Sequence, residues 1–203
     1  MDRAGFDVIE VPANPIYFKK ICRDLKEDPW EMLRMLAKKM PNTIKSCMGG
    51  GFNLNIIGTP TPPALGKLFI KRLVDIGAFQ RAQMTCNTQD QLTRMFPTAV
   101  PFLKGLGVQV VIALSYSLSP RHTDELYAQK TREAAAFKPD AIYLKDQGGL
   151  LTVDRIRTLI PTIIKNANGI PLELHSHCTT GLAPLVYMEA LKLGITTLHT
   201  GVP

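Results

Sequence analysis

Short runs of apolar and β-branched residues recur about every 30 residues along this chain, and stretches of helical period fill the gaps between them. The strand candidates are Phe6 to Val11, Thr43 to Met48, Arg81 to Cys86, Val108 to Leu114, Ala141 to Lys145, Leu172 to His177 and Thr196 to Thr200. Helices are expected over Glu31 to Met40, Leu65 to Ile76, Thr123 to Phe137, Thr152 to Asn166 and Gly181 to Leu193. Gly77 suits the position just past a helix end, and Thr152 followed by Val153-Asp154-Arg155 suits a helix start with an acid in its first turn. Strict strand–helix alternation restricts the chain to an α/β fold with a parallel sheet, either doubly wound or a TIM (β/α)8 barrel. No GxGxxG follows a strand. Gly49-Gly50-Gly51 comes after one, but it lacks the helix-opening spacing and the acidic residue of a dinucleotide site. The barrel is the better reading.

Nearly every strand candidate closes on chemically active side chains: Asn87, Ser115 and Tyr116, Lys145 and Asp146, His175 and His177, His199 and Thr200. In a barrel the C-terminal strand ends form the active-site face, so this clustering is what catalysis on such a fold requires. The chain has 203 residues and seven strand candidates. A complete barrel needs about 250 residues. The expectation is therefore one barrel domain over residues 1–203, incomplete, with the first strand before Met1 and the last helix beyond Pro203.

Composition excludes several classes. The formal net charge is +7, but the 24 Lys and Arg are scattered in pairs such as Lys19-Lys20 and Lys38-Lys39 at helical positions. Without a basic run interleaved with aromatics, they read as solvated helix faces, not a nucleic-acid surface. The apolar runs fall well short of the ~20 residues of a membrane span. No presequence precedes the first strand candidate, so a cytoplasmic protein is expected. Cys22, Cys47, Cys86 and Cys178 show no CxxC spacing, and reduced, mostly buried thiols are expected.

His175 and His177 lie two apart, and the period of a strand puts both imidazoles on one face. Two polar residues at a strand end is the plain alternative to a metal site. The Thr/Gly-rich segment that follows opens a helix, whose free N–H groups favour an anion. Lys145-Asp146 ends the preceding strand after apolar Ala141-Ile142-Tyr143-Leu144. A surface ion pair in a tight turn is the plain reading there. Yet a lysine after such a run on the active face would be partly desolvated, which favours the neutral amine. A neutral amine can take up carbon dioxide as a carbamate and then ligate metal like a carboxylate. Asp146 would support it or act as a general base.

Lys145-Asp146-Gln147-Gly148-Gly149-Leu150-Leu151-Thr152 and Leu174-His175-Ser176-His177-Cys178-Thr179-Thr180-Gly181-Leu182-Ala183-Pro184 resemble the carboxyltransferase domain shared by pyruvate carboxylase, transcarboxylase and the oxaloacetate decarboxylase alpha subunit. The stretch from Leu25-Lys26-Glu27-Asp28-Pro29-Trp30-Glu31 to Pro41-Asn42-Thr43, and Ser117-Leu118-Ser119-Pro120-Arg121-His122-Thr123, agree with the same family in the same order. The resemblance implies a divalent metal (Zn, Mn or Co) held by His175, His177, a carbamylated Lys145 and an aspartate from the first strand. It implies that Thr179 shuttles a proton between biotin and a small 2-oxo acid such as pyruvate or oxaloacetate. Tyr116 would line the biotin side. A biotin carrier, on the same polypeptide or a partner, and a homo-oligomer are further expectations.

The chain departs from the family in three places. The first-strand aspartate is absent. The substrate-binding Arg-Gly-Gln-Asn is replaced by Met48-Gly49-Gly50-Gly51-Phe52-Asn53, and Phe-Asp at the fourth strand end by Met84-Thr85-Cys86-Asn87. Two other functions stand beside the leading one. A biotin-independent metal-dependent lyase or Claisen-type synthase shares the barrel and the His-x-His, but such relatives show Asp-Thr where Lys145-Asp146 stands. A non-catalytic subunit is the other. His122, His199, Cys86, Cys178 and Glu10 are weaker candidates, with capping, structural or surface roles as their alternatives.

Overall fold

The computed structural model describes residues 2–48 and 62–201. Gly49, Gly50, Gly51, Phe52 and Asn53, where the substrate-binding arginine motif is replaced, lie outside the described residues. The chain divides into two compact units, Met1–Met84 with Thr98–Val110, and Thr85–Pro97 with Val111–Pro203.

In the first unit, strands β1 (Val8–Glu10), β2 (Ile44–Met48) and β3 (Arg81–Thr85) are parallel and follow chain order. Helices α1 (Pro15–Lys20), α2 (Pro29–Lys39) and α3 (Pro63–Asp75) belong to the same unit. Each begins with proline in its first turn, where the missing N–H costs nothing. Asn14 and Asp28 cap α1 and α2, the latter accepting from the Trp30 N–H at 2.8 Å. Phe18, Trp30 and Phe69 meet edge to face with centroids 4.8–5.4 Å apart. Leu33, Ile70, Leu73 and Phe79 are fully buried. Gly77 ends α3 at φ +71°, in the left-handed region that glycine adopts without a Cβ clash.

In the second unit, β4 (Gln109–Ser115, here from Val111), β5 (Ala141–Asp146), β6 (Leu172–Ser176) and β7 (Thr197–His199) again run parallel in chain order. Helices α5 (Asp124–Ala135), α6 (Val153–Asn166) and α7 (Ala183–Lys192) connect them. Every residue of β5 is buried, as expected of a parallel strand covered on both faces. Ile156, Leu159, Ile160 and Ile163 of α6, and Val186 of α7, are fully buried. Thr152 caps α6 as expected, its Oγ1 accepting from the Arg155 N–H at 3.2 Å, with Asp154 in the first turn.

All seven expected strands are present, with ends moved by up to two residues. Two helices were not expected. α1 is short, and α4 (Phe96–Gly105) carries Pro97 and Pro101, which read as breakers in sequence. A wide turn over Gln91–Met95 leads directly into α4, so Pro97 lies at its start and only Pro101 removes an interior donor. The cysteines are all free, but only Cys47 and Cys86 are buried, while Cys22 and Cys178 are exposed. That corrects the expectation of mostly buried thiols. Among the described residues, no helix is long and apolar enough to cross a membrane.

Candidate functional site

The parallel register of the second unit lines up its polar strand-end residues. Ser115 pairs with Lys145, Lys145 with His175, and His175 with His199, so one row crosses four strands. The row beneath holds Ala113, Tyr143, Glu173 and Thr197. Because strand side chains alternate, Tyr143 and Lys145 of β5 share a face with Glu173 and His175 of β6. A lysine and a histidine of adjacent strands are thus brought side by side.

His177 stands one residue past β6, yet its N–H still donates to the Asp146 carbonyl at 3.0 Å. The extended backbone continues, and the His175 and His177 rings lie 5.0 Å apart. Nε2 of His175 is buried and has no hydrogen-bond partner among the described residues. Burial pushes the His175 imidazole down to about 4, helped by His199, Lys145 and His177 and opposed by Asp146. Its ring is therefore neutral at physiological pH, the form that ligates a cation. An orphaned, neutral imidazole nitrogen beside a second histidine fits a divalent metal, and Lys145, 3% exposed in the same row, is the residue that a carbamate would complete. Among the described residues, no three His, Cys, Asp or Glu side chains form a metal-holding group.

Asp146 points to the opposite face from Lys145, and both of its carboxylate oxygens accept hydrogen bonds. Oδ1 accepts from the Leu150 N–H, and Oδ2 from the Leu151 N–H and the Ser176 hydroxyl, all at 2.9 Å. It ties the β5–α6 loop to β6. Thr179 lies on the exposed loop after β6, its hydroxyl donating to the Gly148 carbonyl, while Thr180 donates to that of Gly149. Gly149 has φ +64°, and a Cβ there would come within 2.3 Å of Thr179 Oγ1 and 2.4 Å of the His177 carbonyl. The loop that follows Lys145 and β5 touches the loop bearing Thr179 at this glycine. Tyr116 is buried and stacked on Tyr127 at 6.1 Å, with its N–H donating to the Lys145 carbonyl at 2.7 Å.

The weaker candidates take mixed positions. His122 bonds Ser119 at 2.7 Å in the turn before α5, a structural role. The Cys86 thiol is pushed up to about 11 by burial, which removes it as a nucleophile. His199 sits in the central row, its Nε2 2.8 Å from Glu173 Oε2.

No family model matches the sequence. The chain is 33% identical over 196 residues to a pyruvate carboxylase subunit from Methanocaldococcus jannaschii, covering 96% of this chain and 33% of that protein. It is 32% identical over 205 residues to the 2-oxoglutarate carboxylase large subunit of Hydrogenobacter thermophilus, covering 98% of this chain and 30% of that one. The solved carboxyl transferase domain of Rhizobium etli pyruvate carboxylase superposes on 90% of this chain with a TM-score of 0.78 and 22% identity, over 31% of its own length. The chain is a homologue of these carboxylase subunits, and its fold is that of the solved carboxyl transferase domain. It spans about a third of the length of the curated relatives it matches.

Two tyrosines that build the site carried no signal in sequence. Tyr187 of α7 reaches back to the strand ends, its hydroxyl accepting from the Ser176 N–H at 2.9 Å and donating to the His199 carbonyl at 2.6 Å. Tyr127 of α5 makes a similar connection two strand–helix units earlier, accepting from the Ser117 N–H at 3.1 Å and donating to the Ser115 carbonyl at 3.3 Å. Both tyrosines sit where helical periodicity calls for an apolar core residue, so nothing marked their hydroxyls. Gln147 joins the site through Ser115 Oγ at 3.3 Å, and Asn87 accepts from the same hydroxyl.

Proposed function

We propose that the chain carries out metal-dependent carboxyl transfer between biotin and a small 2-oxo acid such as pyruvate or oxaloacetate. The reading draws on relatives named as carboxylases and a methylmalonyl-CoA carboxyltransferase 5S subunit from Propionibacterium freudenreichii subsp. shermanii. Its strands are those of a (β/α)8 barrel, its biotin arrives on a carrier domain or partner, and it works in the cytoplasm. One observation carries the proposal: Lys145 and His175 pair in register beside His177, and the buried His175 Nε2 is left without a partner.

In this reading His175, His177 and a Lys145 carbamate hold Zn, Mn or Co. When bound, the ion supplies Lewis acidity at the keto oxygen of the 2-oxo acid. Asp146, holding the Leu150 and Leu151 N–H groups and the Ser176 hydroxyl, fixes the backbone that carries Lys145 and the loop that follows. In the decarboxylation direction the bond from C3 of oxaloacetate to its carboxyl carbon breaks, leaving an enolate. The Thr179 hydroxyl accepts the proton of biotin N1 and delivers one to C3, while N1 forms the new bond to the carboxyl carbon. Tyr116 borders the biotin side of this transfer.

The test is oxaloacetate decarboxylation by the purified chain, with and without biocytin. Biocytin-dependent turnover is expected, with Thr179→Ala lowering kcat by about 10²–10⁴, as loss of a proton shuttle does. Turnover that ignores biocytin, or a fully active Thr179→Ala, would overturn the proposal and favour a biotin-independent lyase.

A further inference from the structure

Glu173 and His199 take no part in the transfer just described, yet they sit against its central histidine. Glu173 and His175 share a face of β6, and His199 is the register partner of His175 on β7. The Glu173 side chain is 6% exposed, and its Oε2 lies 2.8 Å from His199 Nε2. A carboxylate so buried must be hydrogen-bonded, so this contact fixes the orientation of the His199 ring. The His199 backbone is held as well, by the Tyr187 hydroxyl at 2.6 Å. Tyr143 packs against His199 with centroids 4.9 Å apart, closing its other side. The ring so held meets His175 at 5.5 Å and 82°, a T-shaped contact.

We propose that Glu173 and His199 are positioning residues that hold the His175 imidazole in the one orientation that leaves its Nε2 free for a ligand. Metal-holding imidazoles ordinarily take their orientation from a hydrogen bond to the second ring nitrogen. Here a second imidazole, itself fixed by a buried carboxylate, supplies that restraint through ring packing. The inference rests on the metal reading of His175 and His177 for its purpose, but not for its geometry.

Two measurements on the full chain separate the two. The first is the NMR spectrum of histidine-labelled, metal-free protein, which reports the His175 ring directly. The second is Co²⁺ affinity. His199→Ala is expected to shift and broaden the His175 ring signals while amide signals of β5 and α6 stay in place, and to weaken Co²⁺ by about 10- to 100-fold. Glu173→Gln should weaken Co²⁺ less, and the double variant no more than His199→Ala alone, because Glu173 acts through His199. His199→Gln keeps a donor to Glu173 but loses the ring, and should reproduce the loss if the alanine variant does not fold. Unchanged His175 signals in the His199 variants would overturn the proposal, whatever the metal affinity. Co²⁺ failing to bind the wild type would overturn the metal reading alone, and the His175 signals would still decide this one.

Discussion

At the residue scale, the account depends on groups whose surroundings restrict them to one role. Gly149 is the sharpest case, since its positive φ and the approach of Thr179 and His177 leave no room for a side chain. Gly149→Ala is expected to cost more than about 1 kcal/mol and to part the loop after β5 from the loop bearing Thr179. Urea denaturation measures the first, and biocytin-dependent turnover the second. His175 yields a prediction in pH. Its folded form titrates at about 4, whereas an unfolded histidine titrates near 6.5. Between those values the unfolded chain takes up a proton that the folded chain refuses. The stability that a neutral His175 contributes is therefore complete above about pH 6.5 and falls as the pH drops towards 4, by on the order of 2 kcal/mol after discounting for solvent near a partly exposed ring. Denaturation of the metal-free protein across this window should show the slope, and His175→Gln should lose much of it. Equal slopes in both proteins would refute the assignment. The histidine spacing, the lysine and the Thr/Gly segment were legible in sequence because each is a polar interruption of an apolar pattern. Glu173 and Tyr143 were not, because they lie within apolar runs and only the register shows what they meet.

At the scale of elements, alternation located every strand among the described residues, because a buried parallel strand leaves a continuous apolar run between turn residues. The shortfalls have definite causes. α4 was hidden by Pro97 and Pro101: the wide turn places the first at the helix start, and the second costs one interior donor. The pairing of strand ends with the helix that follows was hidden as well. Tyr127 and Tyr187 each satisfy a backbone N–H and a carbonyl at or just past a strand's last residue, where the ladder stops and these groups would otherwise lack partners. Tyr187→Phe removes both bonds, at an expected cost of about 1–3 kcal/mol. Native-state hydrogen exchange should show the Ser176 amide opening faster while Ser117, held by Tyr127, is unchanged. Equal protection of Ser176 in variant and wild type would contradict the role given to this hydroxyl.

At the scale of the whole molecule, homology and site chemistry agree on one reading. The relatives are carboxylases and a carboxyltransferase, and the second unit brings Lys145, His175 and His177 together on adjacent strand ends. Sequence separated this reading from a lyase only through Lys145, whose partner residues lie about one barrel unit away. The substrate side was less legible, because the replaced arginine motif includes Gly49–Asn53, outside the described residues. Lys145, His175 and His177 are proposed to form one metal-holding site completed by a carbamate on the lysine. The most direct measurement is ¹³C NMR of the protein in ¹³C-bicarbonate, with metal content determined on the same sample. The account predicts one carbamate signal and one divalent metal per chain, both lost together in Lys145→Met. Metal bound at full stoichiometry in that variant, or a wild type with neither carbamate nor metal, would contradict it.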